Sequence, residues 1–358
     1  MPPRLKLFIP GPTEVRPDVL EAMAKPPISH RGSEIVTLQR SVEEQAARIM
    51  LTGAPILLST SSATGLMEAA IRNGVQRRVL CLVCGAFSRR WHTIALDCGK
   101  QADALEEPWG RAIRPDAVDA ALSGGRYDAL TLVHNETSTG VANPLEEIAA
   151  VMRKHPDVVF MVDTVSSLGG MPVKVDDFGI DFCLASVQKA LALPPGFSLC
   201  SVSERMLERS RKAAAKGYYF DLVRMHDKAR QGQPLVTPSV SHMYAMQRQF
   251  AHILEEGLQN RWNRHHRTAA MVRDWAKDRF GLYADEAHAS DTLTCVANTR
   301  GISIAALIAD LERQGALIGS GYGSAREKSF RIAHLGEITQ EDITPILSMI
   351  DRFLRKNS

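Results

Sequence analysis

The sequence predicts an α/β protein: a large domain on a mostly parallel sheet covered by helices, followed by a smaller C-terminal α+β domain. The first sign is a series of short, near-continuously apolar runs: PILLST (55–60), RVLCLVC (78–84), ALTLVH (129–134), VVFMVD (158–163) and DFCLAS (181–186). The second is that amphipathic stretches separate them, among them SATGLMEAAIRN, LEEIAAVMRKH and SERMLERSRKAAAK. Strands that are apolar on both sides and alternate with helices belong in a sheet buried on both faces. The third is a change of texture near Ser241, where a long charged helical region runs to about Arg279. After it come a strand-like TLTCVAN (292–298), a helix ISIAALIADLERQG, a Gly-rich GSGYGS and a last strand–helix pair. The expected partition is residues 1–256, with an N-terminal arm, for the large domain and 257–358 for the small one.

Composition narrows the function classes. Of 358 residues, 45% are hydrophobic and 23% charged, enough apolar material to offset chain entropy, so disorder is not expected. Lys and Arg number 43 against 40 Asp and Glu, a net charge of +3 that gives no basis for a nucleic-acid or membrane-surface partner. Basic pairs such as Arg77-Arg78 and Arg89-Arg90 read as solvated surface. No run approaches the roughly 18–20 apolar residues of a membrane span. The start of the chain shows no signal-peptide pattern, and the expected location is cytoplasmic. Six cysteines in a chain this long do not make a disulfide framework. Cys81-Leu-Val-Cys84 has metal or redox spacing but lies inside an apolar run with no second ligand pair, so it reads as buried strand. His265-His266, in RWNRHHR, reads as a polar helix face, and no metal site is expected.

In parallel sheets ligands bind beyond the C-terminal strand ends, and four such ends carry polar chemistry. STSSATGLMEAA (59–70) places small hydroxyl residues where a helix opens, a setting for a phosphate that a plain capping sequence would share. HNETSTG (134–140) is a polar loop that turn chemistry explains equally well. Asp163 ends VVFMVD, and a carboxylate at a buried strand tip needs a partner, whether a cofactor, a helix cap or a salt bridge. Lys189 follows DFCLAS directly, where it is either a buried amine or a snorkelling surface lysine. Together the four describe pyridoxal phosphate, which needs a lysine, a carboxylate facing the pyridine nitrogen, a phosphate cradle and an aromatic ring.

On these residues the chain resembles the class V branch of fold-type I pyridoxal-phosphate aminotransferases, the alanine–glyoxylate, serine–pyruvate and serine–glyoxylate group. The likeness runs from FIPGPTEV (8–15) and ISHRGSE (28–34) to FRIAHLG (330–336) and is most specific in HNETSTGVANPLEEI, VDTVSSLGG and DFCLASVQKALALPPG. The resemblance implies Lys189 as the Schiff-base lysine and proton shuttle, and Asp163 as the partner of the pyridine nitrogen. It implies Thr137 near the phenolic oxygen, Phe87 stacked on the ring with Trp91 as the alternative, and Val165 on the opposite face. Ser62, Ala63, Thr64 and Gln188 match phosphate positions. Thr237, in LVTPSVS, matches a threonine that reaches the neighbouring subunit's phosphate, which implies a homodimer with shared sites. Arg331 matches the arginine that forks onto the substrate carboxylate, and Gly11 lies in a substrate-binding stretch.

The chain departs from the family pattern at Ala63, Val187 and Pro234, where glycine, serine and a phosphate-contacting tyrosine are usual; this touches the phosphate contacts, not the lysine chemistry. The resemblance implies transfer of an amino group from a small amino acid (serine, alanine or aspartate) to glyoxylate or pyruvate. The competing reading is a lyase of the same fold, such as a cysteine desulfurase. That enzyme needs a mobile-loop cysteine, and Cys295, the one cysteine after residue 200, sits in a core-like strand.

Overall fold

A computed structural model describes residues 4–356; the terminal residues 1–3 and 357–358 read above lie outside them. The first part comprises β1 (Lys6–Phe8), α1 (Pro17–Met23), α2 (Ser33–Met50), β2 (Ile56–Ser59), α3 (Ala63–Gly74), β3 (Arg78–Val83), α4 (Ala86–Asp97), β4 (Gln101–Glu106) and α5 (Pro115–Leu122). Then follow β5 (Ala129–Val133), β6 (Asn135–Glu136), β7 (Val141–Ala142), α6 (Leu145–Met152), β8 (Val159–Asp163), β9 (Phe182–Ser186), β10 (Ser198–Val202), α7 (Glu204–Lys212) and α8 (Leu222–Ala229). The last part is α9 (Val240–Glu256), α10 (Leu258–Arg279), β11 (Leu293–Ala297), α11 (Ile304–Arg313), β12 (Ala316–Ser320), β13 (Ser329–Ala333) and α12 (Gln340–Lys356).

A seven-stranded sheet has the order β2-β10-β9-β8-β5-β3-β4. Only the pairings of β10 are antiparallel. Its inner strands β5, β8 and β9 are buried at every position, as their unbroken apolar runs require, and separate hydrophobic clusters cover the two faces. The C-terminal ends of β5, β8 and β9 therefore lie side by side, and the residues just beyond them converge. A four-stranded sheet, β1-β12-β13-β11, packs with α10, α11 and α12 around a third cluster.

The structure differs from the sequence reading in four places, each for a physical reason. The long helical region is two helices, because Gly257 takes φ +80° and breaks it between α9 and α10. β4, QADALE, escaped detection because it is an edge strand, half exposed and without an apolar run. β10 and β12, SLCSV and ALIGS, carry small and polar residues that blur the strand signal. β1 pairs in parallel with β12, so the arm expected with the large domain begins as a strand of the smaller sheet.

Cys81 and Cys84 are both fully buried, and burial pushes their thiols up to about 11 and about 12. His265, read as part of a polar helix face, is instead entirely buried; of the two histidines His266 alone is exposed. Among the described residues no helix is long and apolar enough to cross a membrane, and no cluster of ligand side chains could hold a metal ion.

Candidate functional site

A cavity of about 200 Å³ opens where β5, β8 and β9 end, and Asp163 and Lys189 both line it. Asp163 is the last residue of β8 and is 3% exposed. Val165 N donates to its Oδ1 at 2.7 Å, which holds the carboxyl at the strand tip. Burial pushes its pKa up to about 7, with the Glu136 carboxylate adding to the rise against the Val165 amide, Lys189 and Arg90. A carboxyl so placed is a strong acceptor for a cationic N–H partner in the cavity.

Lys189 lies in the turn after β9, partly buried, and its Nζ donates to Pro10 O. Burial, then the nearby Arg331 charge, lowers the amine to about 8. The arm that carries Pro10 is pressed close: a Cβ at Gly11, whose φ is +111°, would stand 2.7–2.9 Å from Lys189 Cδ, Nζ and Cε. Gly11 is therefore a position where any side chain would displace the lysine.

One wall of the cavity is the start of α3, with Ser62, Ala63 and Thr64. Ser62 is the N-cap but its side chain makes no capping bond; Gly65 N donates to Ser62 O at 2.9 Å, and the amides of Ala63 and Thr64 are left uncapped at the cavity wall. Gln188 lies alongside, its Oε1 accepting from Ser186 Oγ at 2.6 Å. Phe87, near the start of α4, and Val165 line the cavity; Trp91 is buried in the core cluster behind it. Thr137 shares a 2.6 Å hydrogen bond with Ser166, another lining residue. An uncapped helix start, a buried carboxyl with one cavity-facing need for charge, an amine and an aromatic ring are together the donor set that pyridoxal phosphate requires, so the residues present fit that group.

Arg331 stands at the edge, 9% exposed in β13. Its Nε donates to Ser320 O at 2.9 Å and its Nη1 to Thr137 O at 3.2 Å, while the guanidinium lies 5.6 Å from the Tyr322 ring centroid. Tyr322 in turn sits 5.3 Å from Phe87, ring to ring. Thr237 is the one assigned residue that this chain does not bring in: it is exposed, on the loop between α8 and α9, away from the cavity lining.

Sequence reasoning missed Arg90, Asn135, Ser166 and Tyr322. Arg90, read as half of a solvated basic pair, lines the cavity; its guanidinium is 5.0 Å from the Phe87 centroid and donates to Thr64 Oγ1 at 3.3 Å. The signal was its i+3 spacing from Phe87 on one helix. Arg89, its neighbour, does face solvent and pairs with Glu106. Glu136, fully buried, accepts from Phe87 N at 3.2 Å and from Ser88 N and Oγ at 2.8 Å each, so a carboxylate caps the start of α4 and fixes the Phe87 ring. Nothing local in the sequence marks that cap.

The sequence profile of the family described as Aminotransferase class-V matches residues 7–343. An uncharacterised aminotransferase of Methanocaldococcus jannaschii is 36% identical, covering 98% of this chain and 92% of the relative. An L-aspartate–glyoxylate aminotransferase of Paracoccus denitrificans is 33% identical over 93% of this chain and 87% of its own. The crystal structure of an alanine–glyoxylate aminotransferase from Nostoc sp. superposes with a TM-score of 0.93 at 28% identity, covering 99% of this chain and 96% of that one.

Proposed function

The chain belongs to the class V aminotransferases, and from that premise we propose that it moves an amino group from a small amino acid to glyoxylate through the cavity around Asp163 and Lys189. The enzyme is an aminotransferase, and the family's cofactor is pyridoxal phosphate. When bound, that group supplies a carbonyl to accept the amino group and a ring that draws electrons from the substrate α-carbon. Glyoxylate as acceptor is supported by relatives named for it. The observation that carries the assignment of residues is the meeting of a buried carboxyl and a depressed-pKa lysine at adjacent strand ends in one cavity.

In this reading the first-turn amides of α3, with Ser62, Thr64 and Gln188, hold the phosphate, and Ala63 contributes its amide alone. Phe87 and Val165 would pack against the ring, and the Thr137 hydroxyl would serve its phenolic oxygen. Asp163 would keep a proton on the ring nitrogen. Lys189 would take the proton from the substrate α-carbon and pass it to the cofactor, a task suited to an amine lowered to about 8. Arg331 receives the α-carboxylate, and the arm at Gly11 closes over the substrate beside it. A desulfurase reading lacks its reagent: Cys295 is buried in β11, its thiol pushed up to about 11 by burial. The six free cysteines support a reducing, cytoplasmic setting.

Purified holoenzyme mixed singly with serine, alanine and aspartate tests the reading: a true donor discharges the visible band of the bound cofactor, and glyoxylate restores it. If none of a broad amino-acid panel alters the spectrum, the proposal fails.

Arg331→Lys is expected to raise the half-saturating concentration of every donor and oxo acid together, by roughly 10- to 100-fold, since a hydrogen bond to a charged group contributes about 1.5–3 kcal/mol. Turnover of an amine without a carboxylate should be nearly unchanged. Equal weakening of both substrate types would remove Arg331 from the role.

The Thr237 loop completes the neighbouring subunit's phosphate site in a homodimer. Support comes from its position, exposed and outside its own cavity, beside a cleft lined by Gln233, Pro234 and Pro238. Mixing Lys189→Ala with Thr237→Ala subunits should restore activity, because one hybrid site carries both lesions and the other neither. With subunit exchange shown and Thr237→Ala inactive alone, no recovery would overturn the shared site.

A further inference from the structure

Arg261, on α10, is the largest charged side chain in the interior, 1% exposed. Removing a guanidinium from water is costly unless its donors are all used. Here they are. Nη1 pairs with Glu256 at 2.8 Å and Nη2 with Glu337 at 3.0 Å, which balance the charge. The remaining contacts go to three backbone carbonyls: Nε to Gly169 O at 2.9 Å, and Nη2 to Ala190 O at 2.9 Å and Gly336 O at 3.2 Å.

Those carbonyls belong to the three segments that carry the site. Gly169 lies in the turn that follows Asp163, Ala190 is the residue after Lys189, and Gly336 lies in the loop that follows β13, the strand carrying Arg331. One turn further along α10, His265 completes the grip on the same loop. Its Nε2 accepts from Gly336 N at 3.1 Å, and its Nδ1 bonds Arg261 O at 2.8 Å. The ring is then neutral with its proton on Nδ1, in keeping with the lowering of its pKa by burial. Both the N–H and the C=O of Gly336 are thus held by α10. A planar fork is suited to this work, because its donors point in fixed directions and one group can register several strands of chain at once.

We propose that Arg261 is a positioning residue for the amino-transfer site: it fixes the Lys189 turn against the Arg331 loop, so that the amine and the carboxylate clamp keep the spacing one substrate requires. The proposal rests on the assignment of Lys189 and Arg331 above. It gives the buried charge a purpose that packing alone would not, since an apolar side chain of similar volume would fill the same space without the cost of burial.

Arg261→Met and Arg261→Lys holoenzymes, with Arg264→Met as control, test it by residue-resolved hydrogen exchange. Arg264 bonds Gly336 O at 3.1 Å and Ile338 O at 3.0 Å and makes no bond to the Lys189 turn. The reporting amides are Ala192 and Leu193, bonded to Lys189 O and Val187 O, and Gly336. Arg261→Met should speed exchange at all three by at least tenfold while β5 and β8 amides keep their protection. Arg261→Lys, which keeps the charge but not the fork, should still release Ala192 and Leu193 while β5 and β8 amides keep their protection. Arg264→Met should leave Ala192 and Leu193 protected. Unchanged protection in both Arg261 variants, or a uniform rise over the whole sheet, overturns the proposal.

A double-mutant cycle adds the functional readout. If Arg261 acts through the Lys189–Arg331 spacing, Arg261→Lys combined with Arg331→Lys should lose no more than about threefold in kcat/KM beyond the worse single variant. Fully multiplicative losses overturn it. Should Arg331→Lys alone leave carboxylate binding intact, the Arg331 assignment fails instead, and the exchange data still decide whether Arg261 registers the two segments.

Discussion

Lys189→Ala is expected to reduce amino transfer by at least roughly 1000-fold, because one substitution removes both the covalent hold on the cofactor and the group that moves the α-proton; positioned acid–base catalysis alone is worth about 10²–10⁴. The chemistry depends on the amine being neutral part of the time. Burial and the Arg331 charge lower it to about 8, so at pH 8 about half of the molecules carry a free base, against roughly 1 in 300 for an ordinary lysine of pKa 10.5. The fold should survive, since Lys189 has its amine on Pro10 O at the cavity edge and no role in the sheet. Cofactor should still associate through the α3 amides and Asp163, loosely enough to be lost on gel filtration. The check is single-turnover transfer with the cofactor supplied in excess, alongside its visible spectrum. Turnover at even a tenth of the parent rate would show that another base does the work.

Such a lysine was legible in the sequence because strand and site share a boundary. An apolar run must end where the sheet meets solvent, and a charged residue at that boundary stands out. Asp163 and Lys189 were visible for that reason, and the polar loops after β2 and β5 likewise. Arg90 and Tyr322 were not, since each reaches the cavity from an element whose own pattern looks ordinary: one half of a basic pair on an amphipathic helix, one aromatic in a Gly-rich link. Arg261 was hidden most completely. In RWNRHHR every residue but Trp262 is charged or polar, and only the packing of α10 against three loops decides that Arg261 and His265 turn inward while His266 faces water. Local patterning reports which side of one element is apolar. It does not report a polar side chain buried to satisfy carbonyls more than 70 residues away in the chain, at Ala190 and Gly336. The edge strand β4 and the arm strand β1 were lost for a related reason: each takes its identity from a partner strand, not from its own composition.

Asp163→Asn separates structure from chemistry at the other end of the cofactor. The amide is isosteric and still accepts from Val165 N, so the strand tip should keep its geometry. What it loses is charge. A carboxylate in contact shifts a partner's protonation by about 1–3 pKa units, so a ring nitrogen facing an amide should hold its proton roughly 10- to 1000-fold less well, and the transfer rate should fall by a similar factor. The stability of the cofactor-free chain should move the opposite way, and pH fixes the sign. In the folded chain Asp163 has its pKa raised from 3.8 to about 7. The proton-linked stabilisation is therefore fully present below about pH 3.8 and is lost as pH rises through 7. At pH 8 the parent bears the whole cost of a buried carboxylate, about 4 kcal/mol for a shift of this size, and the asparagine variant bears none. The variant should be the more stable of the two at pH 8 in urea unfolding, with the gap closing to roughly a third by pH 5, where the parent has recovered about two pKa units of that cost. A variant that is faster than a tenth of the parent and no more stable at pH 8 would make Asp163 a solvated structural carboxylate, and the ring nitrogen would need another partner.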